Sequence, residues 1–499
     1  MAEPDTGGDT ISRNAILALG AQMTTAAFTA GITIFLTREL GPAGFGLFSL
    51  ALSATAVILR PAGAGTSQAV GRFIAERHGD HRAIRPIIRM ASRIRVLSAC
   101  AFGVVLFALA DPIASLYGEP DLTGPLQGMA VAFVGQNLFD FFRTIFVSLR
   151  LTSKAFASVT AEASVEAAAT VALVLGGAGV TGAAFGRAAG YAFGVVFAVA
   201  LLGRVLGRSP LLGADRSPVP RSEFFGYAGA LFVVATANSV FQRLGVLLLG
   251  AFLPPSAVGL YSAPLRLISL IAYPALAVAQ GVGPRQARHA TQPARIAALG
   301  RGVRYAVILH AGVIAFLLVW APPIVELVLG PEFSGSAGVL RALTPFILLN
   351  GMGVILFSSL GYAGEGRRRI PVAMATVVVA AVLYIALIPP LGTVGAAIAT
   401  DIGYLVNVGG HLWLAHRFLG LPVGPIFGTF ARSGLAAGAT VVVLVLATGG
   451  GLSVAEWVLG SLLGSATFVT VLVLTGALTR REIRRFARRP VRSRRPPDR

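Results

Sequence analysis

The stretches LGPAGFGLFS (residues 40–49) and LPPSAVGLYS (residues 253–262) align without a gap at an offset of 213 residues. The same offset takes Pro61 to Pro274, Arg72 to Arg285 and Asn137 to Asn350. It also takes GAGVTGAAFGRAAGY (177–191) to PLGTVGAAIATDIGY (390–404). One offset that holds from residue 40 to residue 191 reads as an internal duplication, and that reading decides the architecture.

The 499-residue chain is 55% hydrophobic and only 12% charged, about half the charged fraction of an ordinary soluble domain. Apolar runs of about 20 residues recur along its length, which reads as an all-α polytopic membrane protein. Fourteen spans are expected near 14–36, 45–69, 94–116, 122–148, 157–176, 180–202, 224–252, 257–282, 304–328, 336–361, 370–389, 394–416, 425–447 and 453–477. The first run is too long for the apolar core of a signal peptide and reads as a retained span.

A net charge of +20 would suit a nucleic-acid binder, but its distribution does not. Arginines cluster between spans, from Arg72 to Arg95, Arg204 to Arg221, Arg285 to Arg304 and Arg367 to Arg369, and in the tail TRREIRRFARRPVRSRRPPDR (479–499). The alternate loops carry Asp111, Glu119, Asp121, Glu326, Glu332 and Glu456 instead. By the positive-inside rule this places both termini in the cytoplasm, in a multi-pass protein of the plasma membrane. The tail is expected to meet anionic lipids, and no nucleic-acid partner is expected. Cys100 is the only cysteine, so neither an intrachain disulfide nor a thiolate metal cluster is expected. Motifs of zinc proteases, serine hydrolases and phosphate-loop enzymes are absent, so no enzyme activity and no metal or other cofactor are expected.

The duplication makes spans 1–6 equivalent to spans 7–12. Six is even, so the copies insert in the same orientation, as parallel lobes related by an axis along the membrane normal. Residues 1–13 read as a disordered cytoplasmic N-terminus, 14–203 as the N-lobe and 204–223 as a cytoplasmic linker. Residues 224–417 form the C-lobe, 425–477 hold spans 13 and 14, and 478–499 are a basic cytoplasmic tail.

Ser49, Ser53, Ala56, Arg60 and Ser67 share one face of span 2, and the offset turns them into Ser262, Arg266, Ser269, Tyr273 and Gln280 on span 8. Spans 1 and 7 carry related stripes: Gln22, Thr25 and Thr29 against Asn238 and Gln242, with Arg243 beside them. Lipid cannot satisfy such groups, and an arginine at mid-bilayer costs about 2.5–3.5 kcal/mol on insertion scales. The stripes are therefore expected to line a common wet cavity. Pro61 and Pro274 each remove a helix hydrogen bond and are expected to kink spans 2 and 8.

The segment LGPAGFGLFSLALSATAVILRP, with AVGRFIAERHGD (69–80) after it, resembles the polysaccharide-transporter branch of the multidrug/oligosaccharidyl-lipid/polysaccharide (MOP) superfamily. Its members include Wzx-type oligosaccharide flippases and, more distantly, MurJ-type lipid II flippases and MATE multidrug exporters. The resemblance implies a V-shaped pair of six-helix lobes, plus two C-terminal helices, that alternates between inward-open and outward-open states. The implied substrate is a polyprenyl-diphosphate-linked oligosaccharide, moved from the inner to the outer leaflet for surface-glycan assembly. Polysaccharide polymerases or glycosyltransferases are the implied partners. A lipid II flippase, or a MATE-like cation-coupled exporter, stands as the alternative; the exporter chemistry wants an acidic cavity.

Under this resemblance Arg60, Arg187, Arg243 and Arg266, which lie deep in their spans, either bind a diphosphate bidentately or pair with intramembrane acids and hold the lobes together. Those acids are Asp140, Glu162, Glu166 and Asp401. Asp140 and Arg143, at i,i+3, form a local ion pair or a coupling site. Glu162 and Glu166, at i,i+4, either take up H+ or Na+ for coupling or pair with Arg150 or Lys154. The repeat also brings Asp401 to the position beside that of Arg187, which suggests a contact between them.

Overall fold

The computed structural model describes residues 11–59, 66–77, 80–206, 221–271, 291–362, 368–447, 453–479 and 482. Arg60, Pro61, Tyr273, Pro274 and Gln280 lie outside the described residues, and the two expected kinks with them. Among the described residues the regular elements are helices and no strand is present. In chain order they are α1 (Ile11–Leu59), α2 (Thr66–Glu76), α3 (His81–Ala108), α4 (Ala110–Tyr117), α5 (Thr123–Ser148), α6 (Thr152–Leu173), α7 (Gly179–Leu206), α8 (Arg221–Phe252) and α9 (Pro255–Ile271). The remainder are α10 (Gln292–Leu329), α11 (Ser336–Ala342), α12 (Thr344–Tyr362), α13 (Arg369–Leu414), α14 (Gly424–Ala447) and α15 (Val454–Leu474).

Nine helical stretches among the described residues are long and apolar enough to cross a membrane. Three of them, Leu19–Val57, Thr152–Val205 and Arg369–Leu419, run to 39, 54 and 51 residues, about twice the ~20 that one crossing needs. Each is divided by glycine at positive φ, where a Cβ would be strained: Gly41 (63°), Gly177 (89°) with Gly179 (50°), and Gly392 (57°). With α8 and α9 added, helix stands at each of the fourteen expected spans. Span 3 departs most from expectation, because α3 starts at His81, well inside the arginine-rich segment.

The sequence offset is visible in the backbone. Gly179 has φ 50° and ψ −134°, and Gly392, 213 residues on, has φ 57° and ψ −135°. Two short 3₁₀ turns, Pro120–Leu122 and Pro331–Phe333, follow the positive-φ glycines Gly118 and Gly330 in corresponding connections.

Contacts divide the chain into two compact units. The first comprises Met1–Tyr273, Val325–Leu343 and Glu365–Asn407. Its centre is a reciprocal contact between α1 and α9. Gly46 lies against the carbonyl of Pro255, and Gly259 lies against the carbonyl of Pro42, so neither site has room for a Cβ. Pro42 and Gly46 are the 213-residue equivalents of Pro255 and Gly259, so the two copies meet through the same residues in both directions, as subunits do at a two-fold interface. Small residues let helix backbones approach this closely. Around it Ser336 Oγ donates to Leu260 O at 2.8 Å, Arg38 donates to Leu327 O at 2.5 Å, and Phe45 meets Phe333 edge to face at 6.2 Å. Elsewhere in this unit Phe73, Ile84, Ile87, Phe141 and Phe146 form a buried apolar cluster joining α2, α3 and α5.

The second unit comprises Pro274–Ile324, Thr344–Gly364 and Val408–Arg499. It ties α14 and α15, the helices outside the repeat, to α10. Ile308, Ala436, Phe468 and Leu472 pack together, and Trp320 stacks on Trp457 at 5.6 Å. Gly351 leaves space for the fully buried ring of His310. Beyond α15, Arg304 makes a forked pair of bonds to the Glu482 carboxylate at 3.0 and 2.9 Å, and Tyr305 donates to it at 2.9 Å. Thr479 adds backbone and hydroxyl donors at 2.9 and 2.8 Å.

Two outcomes are expected. Gly46→Ala and Gly259→Ala should each lower stability by about 1–3 kcal/mol through overpacking, and the double variant should lose less than the sum, because both relieve one interface. Thermal unfolding of the four proteins in detergent checks this. The hydrogen bond from Arg304, with the Thr479 and Tyr305 donors, lowers the Glu482 carboxyl to about 2, against roughly 4.3 for a free glutamate. A depressed carboxylate stabilises above its unfolded value and loses that contribution as pH falls through its folded value. A carbon-13 titration should find Glu482 still ionised at pH 3, and Arg304→Gln should return it towards the free value.

Candidate functional site

The site is built on the close packing of α6 and α7. Gly186, Gly190 and Gly194 on α7 lie over Thr170, Glu166 and Glu162 on α6, each too near for a side chain. A glycine every fourth residue puts one bare stripe on α7, which lets the carboxylates of α6 be reached from α7 itself. Arg187 Nη1 donates to Glu166 Oε1 at 2.6 Å, and Nη2 donates to the Tyr191 hydroxyl at 2.9 Å. Glu162 is 6% exposed, and its Oε1 has no hydrogen-bond partner. It lies one helical turn from Glu166 on the same face of α6 and within electrostatic reach of Glu166, Arg187 and Asp140.

Arg266, on α9, is half-buried with its guanidinium 5.2 and 5.3 Å from the rings of Phe45 and Phe48 on α1, an attractive cation–π arrangement. Its electrostatic neighbours are Arg187, Arg243 and Glu166. Three of the four deep arginines expected from the sequence therefore share one neighbourhood in the first unit. The fourth, Arg60, lies outside the described residues.

The remaining expected residues are distributed as follows. Ser49, Ser53 and Ser262 are buried in helix packing, and Ser49 and Ser262 each have an unpartnered hydroxyl. Thr25, Thr29, Asn238, Gln242 and Ser269 are exposed; Thr25 and Ser269 bond back to the carbonyls of Ala21 and Leu265. Asp140 pairs locally with Arg143 at 3.2 Å, both about half exposed. The carboxylate held by Arg187 is Glu166, in place of the Arg150 or Lys154 pairing weighed for the acids and of the suggested Asp401–Arg187 contact. Asp401 lies instead within electrostatic reach of Tyr261 and Tyr384.

The sequence reading missed Arg95. Counted there with the loop arginines, it is 4% exposed. Its Nε and Nη2 each donate to Asn137 O at 3.2 Å, and its Nη1 donates to Thr66 Oγ1 at 2.9 Å, which fixes the start of α2. The signal was available: Ile84, Ile88, Ala91, Arg95 and Ala99 recur at helical spacing and form the buried face of α3.

The second copy carries different chemistry at these positions. The offset places Thr400 at Arg187 and Tyr404 at Tyr191. Gly403, the equivalent of Gly190, lies against Ala380, and Asn407, the equivalent of Gly194, donates to Thr376, so Ala380 and Thr376 take the places of Glu166 and Glu162. Thr400 Oγ1 meets the hydroxyls of Tyr261 at 2.6 Å and Tyr384 at 2.9 Å, a neutral buried network where the first copy has ions.

Among the described residues, helix at each of fourteen expected spans and a close glycine contact between the two sequence copies define an all-α polytopic membrane protein. The chain belongs to the polysaccharide biosynthesis protein family, which matches residues 11–283, and residues 257–467 also match the lipid II flippase MurJ family. Among solved structures, the lipid II flippase MurJ in an inward closed conformation aligns with a TM-score of 0.71 at 14% identity, covering 94% of this chain and 99% of that one. A MOP superfamily transporter from Pyrococcus furiosus, whose binding pocket is described as of reverse polarity, aligns with a TM-score of 0.62 at 16% identity, covering 82% of this chain and 96% of that one. The probable low-salt glycan biosynthesis flippase Agl15 of Haloferax volcanii is 24% identical over 200 residues, 40% of this chain. That alignment spans 42% of the relative's length.

Removing one partner of a buried ion pair leaves the other uncompensated, at a cost of about 3–5 kcal/mol. Arg187→Leu alone should therefore destabilise strongly, and Arg187→Leu with Glu166→Leu should recover most of the loss. Thermal unfolding of both variants checks this.

Proposed function

We propose that the protein is an alternating-access flippase that moves a polyprenyl-diphosphate-linked oligosaccharide from the inner to the outer leaflet of the plasma membrane, for surface polysaccharide or glycan assembly. The observation that carries the reading is the grouping of Arg187, Arg243 and Arg266 in one half-buried neighbourhood. Guanidinium is permanently charged and matches phosphate oxygens bidentately, so this grouping suits a diphosphate and repels a cationic drug. Membership of the polysaccharide biosynthesis family and the likeness to a glycan flippase support it. In this reading two six-helix lobes, N-lobe and C-lobe, rock about the glycine contact between α1 and α9, and both termini face the cytoplasm. The basic tail lies on anionic lipid, and the polymerases or glycosyltransferases that make and use the substrate are partners.

Transbilayer movement of a fluorescent polyprenyl-diphosphate sugar in proteoliposomes tests the proposal. Wild type should transport, and Arg266→Ala and Arg60→Ala should each lose roughly tenfold or more, the loss of one charge-assisted bond. Efflux of cationic dyes without lipid movement would reassign the chain to drug export.

A further inference from the structure

A charge buried within a membrane protein costs several kcal/mol unless compensated, so a buried cluster settles close to neutrality. The α6–α7 cluster holds two carboxyl groups against one bonded guanidinium. Glu166 is satisfied by Arg187, whereas Glu162, one helical turn away and more than nine-tenths buried, has an oxygen with no partner and no bonded cation. Ionised, Glu162 would be a buried charge without a counter-ion, so it holds its proton, and with the Arg187–Glu166 pair the cluster is neutral.

Arg187 links this balance to the arginine grouping. An anionic diphosphate drawn to Arg266, Arg243 and Arg187 competes with Glu166 for the same guanidinium. When phosphate takes Arg187, Glu166 becomes a buried carboxylate without a bonded cation. The other charged and titratable groups facing the pair are Asp140 from α5, already engaged with Arg143, Tyr191 from α7 and Arg266 from α9. The portion of α1 between residues 14 and 37 contains no charged side chain. Arg266 faces the same anion, so the remaining source of compensation is a proton from water. A sodium ion would need several more oxygen ligands beside a fixed guanidinium.

We infer that the Glu162–Glu166 pair is a proton-uptake site coupled through Arg187 to ligand binding: one proton passes from water to the Glu166 carboxylate as a ligand diphosphate replaces that carboxylate on Arg187. No covalent bond is made or broken. The inference rests on the diphosphate reading proposed above and adds its coupling. The second copy argues that the charges are not scaffolding, since Thr376, Ala380 and Thr400 take the same places in a helix pair that packs without them.

The test is calorimetric titration of the full-length protein in detergent with a short-chain polyprenyl-diphosphate sugar, whose diester diphosphate does not titrate near neutral pH. Measurements in buffers of different ionisation enthalpy count protons directly. Wild type should take up close to one proton per ligand bound, and Kd should rise about tenfold per pH unit on the alkaline side. Glu166→Gln should bind more tightly, with no proton uptake and no pH dependence. Binding by wild type without proton uptake would overturn the inference and leave the diphosphate reading standing. A Kd that depends on sodium in place of pH would also overturn it. No binding at any pH would instead remove the diphosphate reading itself. If Glu166→Gln fails to fold, the wild-type proton count decides alone.

Discussion

The structure depends on two glycines. Gly46 and Gly259 put the backbones of α1 and α9 in direct contact, each against a carbonyl of the other copy. Apolar side chains gain little by leaving lipid for one another, so helices in a membrane associate through shape and close approach. A contact between bare backbones provides both, and its reciprocity makes it a natural axis. Of the aromatic residues around it, Phe45 and Phe48 form the surface on which Arg266 rests, and Phe333 packs edge to face on Phe45. One sterically demanding point thus sets the geometry of the first unit and the position of a cation within it.

The second unit solves a different problem. The sequence offset does not reach α14 and α15, and these helices are secured to α10. Stacked tryptophans bind one end, with Trp457 just inside the capping box of Ser453 and Glu456 that starts α15. The Arg304–Glu482 fork binds the chain where it leaves α15.

Much of this was legible in the sequence, for physical reasons that also mark where legibility ended. Hydropathy located the spans because lipid permits few structures other than helix. The 213-residue offset located the contact between the copies, because Gly46 and Gly259 leave no room for a side chain where backbones touch. Polar-stripe reasoning fared less well. Ser49, Ser53 and Ser262 share a helical face with Arg266 or Arg60, yet they are buried in packing, because a serine is small enough to serve a close helix contact. Helical periodicity says which residues share a face, not whether that face meets water or another helix. Arg95 fails in the opposite sense: a charge run suggested a loop, while the spacing of its apolar neighbours had already put it inside.

The comparison of the two copies is the strongest argument about the charges. A buried ion pair is weak evidence for stability, since apolar residues of similar shape often serve as well. Here the protein contains that substitution at equivalent positions. Where the first copy has Glu166 and Arg187, the second has Ala380 and Thr400, with Tyr261 and Tyr384 meeting the threonine hydroxyl. Both copies keep the bend at Gly179 and Gly392, and both keep a tyrosine one turn after the Arg187 or Thr400 position. The helical frame is therefore indifferent to whether its centre is ionic or neutral. A frame that packs with or without the Glu166–Arg187 pair leaves that pair open to the binding role proposed for it.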